Sequence, residues 1–478
     1  MSPRATCQRL CTALVVSLGV MASAALTQPS GATLNVGPGE IFARIEDAVA
    51  AAKPGDTILV HPPGEGRAYE RVAVMVRTPR LRIIAADPPA VSTNSVRTNL
   101  SGDTPPARIP LRGDGFMYSG QGATPRAIVQ FEPEADGCVL DGFELSGARN
   151  DSHNGAGVRI NQANHITIRS CLIRDNDMGI MSGGDGTPNA AQDQRIENCL
   201  IFRNGSTVEQ GQSHNLYLGG ASAVISACEI HSSTAGHNIK SRAHYTRIEY
   251  SWVHDSANRE IDLVDAAGDT DIPDSDAVIL GCIIAKSADT KGNRGVIQFG
   301  QDGGNNHTGT LHIISSTIIN PFASAAVALT APGARVAIHN SLFSDGGSGQ
   351  KSQRLVGIAA KASGELLNAR ITASNNAFSG DFIDAAGRGT QLSSPIRFAN
   401  FALGDFRLLM PTDAAPKAGA PIITLRIPAA PGRAGDTPGQ PLRRYAHPQS
   451  SALRTDTASP ALGSSGIAEK SSAKDQPR

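Results

Sequence analysis

The chain has 478 residues, with 43 Lys+Arg against 43 Asp+Glu, and this zero net charge argues against nucleic-acid binding by counterion release and against polybasic membrane attachment. Hydrophobic residues make up 40% and charged residues 18%, which suits a folded chain. Aromatic residues reach only 4%, so the core is expected to consist of small and β-branched side chains rather than rings.

In chain order, the first segment reads as an export signal. Arg4 and Arg9 precede an apolar run over 13–20, and Ala22-Ser23-Ala24 is a small-residue cleavage site. The run is too short to span a bilayer, and no later segment offers about 18 consecutive apolar residues. The mature protein is expected to start near Ala25 and to be secreted, periplasmic or displayed at the cell surface. Five cysteines then remain (Cys138, Cys171, Cys199, Cys228 and Cys282), an odd number that cannot pair fully, and no CxxC or Cys/His cluster suggests zinc.

The middle of the chain is periodic. Segments 166–173, 195–201, 224–230, 247–253, 278–284 and 312–318 superimpose, and 336–342 follows more loosely. Cys171, Cys199, Cys228, Ser251, Cys282 and Ser316 then share one column, in steps of 28, 29, 23, 31 and 34 residues. Short runs at 157–160, 179–182, 215–218, 238–241, 260–263 and 296–299 fall between them and alternate with period two, the mark of a half-buried strand. Gly and Asn/Asp clusters separate the runs, without a helical pattern. Such rungs describe an all-β solenoid whose equivalent residues stack about 4.8 Å apart. The cysteine column is then a ladder of small buried side chains. The Leu-x-x-Leu-x-Leu signature of leucine-rich repeats is absent.

At the N-terminal side, Val36-Gly37-Pro38-Gly39, Ile45-Glu46-Asp47-Ala48 and Pro54-Gly55-Asp56-Thr57-Ile58-Leu59-Val60 resemble the capping helix and first strand of the secreted right-handed parallel β-helix proteins, the pectin-lyase-like superfamily. Phe406-Arg407-Leu408-Leu409 followed by Pro416-Lys417-Ala418-Gly419 resembles its closing segment. The resemblance spans about residues 33 to 420. It implies a right-handed parallel β-helix, arranged as a signal (1–24), a cap with first strands (25–80), the helix (81–420) and a Pro/Ala/Ser-rich tail, extended or disordered (421–478). This fold carries lyases, hydrolases, epimerases and non-catalytic adhesins, so activity has to be read from the site.

The second strand set resembles the sheet that lines a polysaccharide groove in that superfamily. With Ile180, Leu216, Ile239 and Ile261 inward, alternation sends Arg159, Met181, Tyr217, Lys240, Asp262 and Gln298 outward. A neighbouring column (Gly157, Gly179, Asn215, Asn238, Glu260, Val296) is also expected outward, with Arg242 beside Lys240 and with His214 and His237 opening their strands. Polar groups thus converge over three rungs. On a solvated sheet they would simply pair across rungs, Lys240 with Asp262 and Arg242 with Glu260.

Two chemistries fit the cluster. In a lyase, Lys240 or Arg242 removes the proton α to a uronate carboxylate while the other neutralises it, and Tyr217 or His237 protonates the leaving oxygen. His214, Asn215, Asn238 and Arg159 would bind the polymer. Glu260, Asp262 and Asp265 would supply calcium ligands, joined by Asn215 and Asn238, or by Asp269, Asp271, Asp274 and Asp276 in the following loop. In a hydrolase, Glu260 and Asp262, about 7 Å apart by strand rise, would flank the glycosidic bond. Gly236-His237-Asn238 faintly resembles the Gly-His-Gly element of polygalacturonases, but His214-Asn215 stands where that family has paired aspartates. Ser241-Arg242 lies where alginate and chondroitin lyases of the Lys/Arg type carry Lys-Ser, with Ala235 and His237 in place of their glutamates. The leading expectation is a monomeric protein acting on an acidic polysaccharide by β-elimination. The alternative is a non-catalytic carbohydrate-binding or surface protein, without nucleic acid or membrane span.

Overall fold

The computed structural model describes residues 31–86, 108–187, 189–208, 211–265, 275–302, 307–358 and 370–392, with the strand segments 397–400, 405–409, 423–426 and 441–445. The signal, the loop aspartates Asp269, Asp271 and Asp274, the Pro416–Gly419 motif and most of the tail lie outside these residues.

Three parallel sheets of 12, 11 and 10 strands make up the body, and from Arg82–Ala85 to Val356–Ile358 each coil of the chain contributes one strand to each sheet in turn. Every coil pairs with the next in parallel, so side chains of one type stack into ladders along the axis. In the first sheet Leu140, Ile168, Ile196, Ile225, Ile248, Ile279, Ile313 and Ile338 are successive partners. In the third sheet the ladder runs Val129, Val158, Ile180, Leu216, Ile239, Ile261, Ile297 and Val327. These residues are essentially inaccessible and form one continuous core. Each buried Ile, Leu or Val contributes about 1.5–3 kcal/mol by area removed from water. The narrow interior is filled this way, which accounts for the scarcity of rings.

The helix Ile45–Ala51 lies at the N-terminal end, burying Ile45, Ala48 and Val49 in the same core. The strand Thr57–Val60 that follows it pairs in parallel with an earlier strand, Thr33–Val36. Near the far end, Arg397–Asn400 pairs antiparallel with Asp405–Leu409, and Ile423–Arg426 with Pro441–Tyr445. No helix among the described residues is long and apolar enough to cross a membrane.

The repeat segments differ from the sequence reading in one respect. Each is two strands rather than one, for example Thr167–Arg169 in the first sheet and Leu172–Arg174 in the second. The bend is made by the residue before the cysteine column: Ser170, Asn198, Ala227, Tyr250, Ser315 and Asn340 all adopt φ near +50°, and Gly281 +63°. That left-handed conformation is unfavourable for residues with a Cβ. The column repays it with hydrogen bonds. The Cys199 N–H donates to Cys228 Sγ (3.4 Å), that of Cys228 to Ser251 Oγ (3.1 Å), and that of Cys282 to Ser316 Oγ (3.1 Å). All five described cysteines are buried free thiols.

Candidate functional site

The third sheet sets out the expected outward column in register. Arg159, Met181, Tyr217, Lys240, Asp262 and Gln298 are successive partners. Lys240 and Arg242 lie two apart on the chain, with Ser241 turned inward between them to hydrogen bond Thr246. Lys240 Nζ and Arg242 Nη2 then meet at one point, Asp302 Oδ2, at 2.7 and 2.6 Å. The guanidinium of Arg242 also lies over the Tyr217 ring, 5.7 Å from its centroid. Arg159 sits further along the column, held by Asn161 Oδ1 at 2.8 Å and packed on Met181.

The neighbouring column does not face outward. Asn215, Asn238 and Glu260 are fully buried in the corner between the second and third sheets. The strands begin one residue later, at Leu216, Ile239 and Ile261, so alternation does not reach these positions. The amides instead form a directed ladder. Asn176 Nδ2 donates to Asn204 Oδ1 (3.0 Å), Asn204 to Asn215 (2.9 Å), Asn215 to Asn238 (2.8 Å), and Asn238 to Glu260 Oε2 (2.7 Å). Gly157 and Gly179 occupy this column in the earlier coils because Asn176 and Asn204 enter the corner from the other side. A Cβ on Gly179 would lie 2.9 Å from Asn204 Nδ2. The ladder ends on Lys286, whose buried Nζ is 3.2 Å from Glu260 Oε1. Burial pushes the Glu260 carboxyl up to about 7 and draws Lys286 down.

His214 and His237 stack with ring centroids 4.9 Å apart, and Tyr217 meets His214 edge-on at 5.3 Å. The backbone N–H of His237 donates to His214 Nδ1 (2.9 Å), and that of Arg259 to His237 Nδ1 (3.1 Å). Both rings are therefore neutral with the proton on Nε2, and the Nε2 of His237 faces Asp262 Oδ2 at 3.4 Å. Burial, with Lys240 and Arg242 nearby, lowers His214 to about 3. His237 is lowered further, by burial and then by its neighbour His214. Asp262 is buried among His237, Lys240 (3.5 Å) and Arg259 (3.5 Å), and burial raises its carboxyl above the usual range despite these cations.

Glu260 is turned inside and bound by Asn238, Ser256 and Lys286, so it does not share a sugar-sized space with Asp262 as a hydrolase pair would. Glu260 and Asp262 also do not fit a calcium ion, because cations or internal N–H donors already hold them. Asp265 lies at the end of its strand, with its side chain outside the described residues. Among the described residues no group of three or more His, Cys, Asp or Glu gathers to hold a metal.

Sequence reasoning missed Asp302, Arg259 and Lys286. Arg259 could have been found, since it precedes Glu260 as His214 and His237 precede Asn215 and Asn238. Asp302 and Lys286 carry no repeat signal.

Residues 156–343, which include the column from Arg159 to Gln298, match the family model of the right-handed β-helix region. The chain folds as a right-handed parallel β-helix. Solved β-helix structures similar to it include a pectate lyase (14% identity, 76% of this chain and 83% of that one, TM-score 0.41). An alginate lyase from Paenibacillus sp. matches at 13% identity, over 75% of this β-helix chain and 97% of the other, with TM-score 0.38. A pectin methylesterase from Aspergillus niger matches at 13% identity, over 77% and 92%, with TM-score 0.33. No curated protein matches the sequence.

Proposed function

We propose that this β-helix protein acts on an acidic polysaccharide and cleaves it by β-elimination at a uronate. One observation carries the reading: Lys240 and Arg242 converge on a single carboxylate oxygen at the open side of the third sheet. Two cations aimed at one point suit the carboxylate of a sugar acid, and they would stabilise the charge that moves onto it when the α proton leaves.

The division of labour follows from the neighbours. Arg242 holds the uronate carboxylate. Lys240 takes the α proton after passing its own to Asp262, whose raised carboxyl, 3.5 Å away, accepts it more readily than an exposed aspartate would. The electron pair of the broken C–H bond becomes the new double bond as the bond to the glycosidic oxygen breaks. Tyr217, on the outer face beside Arg242, protonates the departing oxygen. His237 does not reach the substrate in this scheme; it positions Asp262. The polymer lies along the column towards Arg159. An extracytoplasmic site of action accords with the charged and apolar pattern of residues 4–24.

The test is a panel of pectate, alginate and glycosaminoglycan substrates, read by the ultraviolet absorbance of unsaturated ends. Turnover that falls about 10²–10⁴-fold in Lys240→Ala supports the reading. Binding without any product would make this a carbohydrate-binding surface protein. New reducing ends without unsaturation would make it a hydrolase.

A further inference from the structure

The Asp302 carboxylate has no counterpart in the repeat, yet it occupies the centre of the cationic pair. It follows the strand Ile297–Gln301, two coils beyond Lys240, and reaches back to it. Its Oδ2 alone receives both Lys240 Nζ (2.7 Å) and Arg242 Nη2 (2.6 Å). The fit is incomplete. Arg242 Nε is buried and makes no hydrogen bond, so the guanidinium engages Asp302 with one arm of its fork. A carboxylate seated squarely on an arginine takes two parallel N–H bonds. The side chains differ in access too: Asp302 is 37% exposed and Arg242 29%, whereas Lys240 beneath them is 10% exposed. The outermost member of the cluster is therefore the anion.

We propose that Asp302 is an internal stand-in for the carboxylate of the substrate: it docks in the Lys240–Arg242 site of the free protein and is displaced by a uronate. The inference rests on the reading given above, in which Arg242 holds the uronate carboxylate and Lys240 meets it at the same point. It adds a specificity device. A neutral sugar offers nothing to replace the charge of Asp302, so displacement would leave Arg242 without a carboxylate and Lys240 with Asp262 alone, and the site discriminates against uncharged polymers. A uronate supplies the charge and completes the Arg242 fork. Burial works against the charge on Asp302, but the hydrogen bonds from Lys240 and Arg242 outweigh it and hold its carboxyl below the usual range, so the competitor stays ionised at neutral pH.

Galacturonate monomer is the probe, with glucose as the neutral control, and binding is measured by calorimetry to the full-length protein, Asp302→Asn and Asp302→Ala. An internal competitor lowers apparent affinity by the fraction of time it leaves the site open, so both variants are expected to bind galacturonate about tenfold or more tighter than the wild type. Glucose should bind none of them. Equal or weaker galacturonate binding by the variants, including no binding by any protein, overturns the inference. Folding is controlled by thermal unfolding and by a second readout, acylation of Lys240 followed by peptide mass spectrometry. Lys240 should label faster in Asp302→Ala than in the wild type, and galacturonate should suppress the increase. Unchanged labelling counts against the proposal. Variants that bind galacturonate tightly but release no unsaturated product from any polymer would sink the lyase reading alone. Turnover without tighter binding in the variants would sink the Asp302 inference alone.

Discussion

Asn238 Nδ2 donates to Glu260 Oε2 at 2.7 Å in a corner where neither residue is exposed. That bond joins the amide ladder, which begins at Asn176, to the buried Glu260–Lys286 pair. Each amide passes one Nδ2 proton to the next member in the same direction and the other to a backbone carbonyl, so removing one member costs the acceptor above and the donor below one buried bond each.

Asn238→Ala is therefore expected to destabilise the protein by about 2–4 kcal/mol, beyond an ordinary truncation, because buried polar groups lose their partners. Lys286→Met should cost about 3–5 kcal/mol by stranding Glu260. Urea unfolding checks both. A cost below about 0.5 kcal/mol for Asn238→Ala would show that water enters the corner and satisfies it.

The cysteine column predicts an asymmetry between two substitutions of similar size. Cys228→Ser keeps an acceptor for the Cys199 N–H, as Ser251 and Ser316 do in their own coils, and should change stability by less than about 1 kcal/mol. Cys228→Val removes the acceptor and should cost about 1–3 kcal/mol. Burial pushes the equivalent thiol of Cys282 up to about 12, so Cys282 should react with thiol reagents only after denaturation.

Histidines on two faces give the stability opposite pH limbs. His254 is buried, which disfavours its charge, but its hydrogen bond to Asp255 (2.8 Å) and its ion pair with Glu229 (3.5 Å) prevail and raise it to about 9. Its contribution is fully present below about 6.5 and is lost as pH rises through 9. His214, lowered to about 3, contributes above about 6.5 and loses that contribution as pH falls towards 3. Thermal unfolding against pH should show both limbs, and His254→Gln should flatten the alkaline one alone. An unchanged alkaline limb would refute the assignment.

Along the groove, Arg159 is three coils from Lys240, about 14 Å at the inter-strand spacing. Arg159→Ala should raise KM for oligomers long enough to reach it by about 5–50-fold, with kcat nearly unchanged, and should leave short oligomers unaffected. Tyr217→Phe should do the reverse and lower kcat by about 10²-fold or more at similar KM. Steady-state kinetics on a length series separates them.

The solenoid, its third-sheet register and the stacked line from Arg159 to Gln298 were legible from residue types alone, because stacked parallel coils repeat one local pattern. Ile168, Ile196 and Ile225 declare their role by position. Alternation stops where a strand stops, however. Asn215, Asn238 and Glu260 sit one residue before their strands and turn into the corner, and nothing in a linear pattern marks that turn. Ser170 and Asn198 likewise bend segments that read as continuous strands.

What the sequence by itself determined is the repeat, and with it the core and the neighbourhood of Tyr217, Lys240 and Arg242. The tertiary structure alone decided which charges meet. Asp302 is 62 residues from Lys240 and Lys286 is 26 from Glu260, with no periodic relation in either case. Ion pairing depends on distance in space and on burial, and only the stacked coils set both.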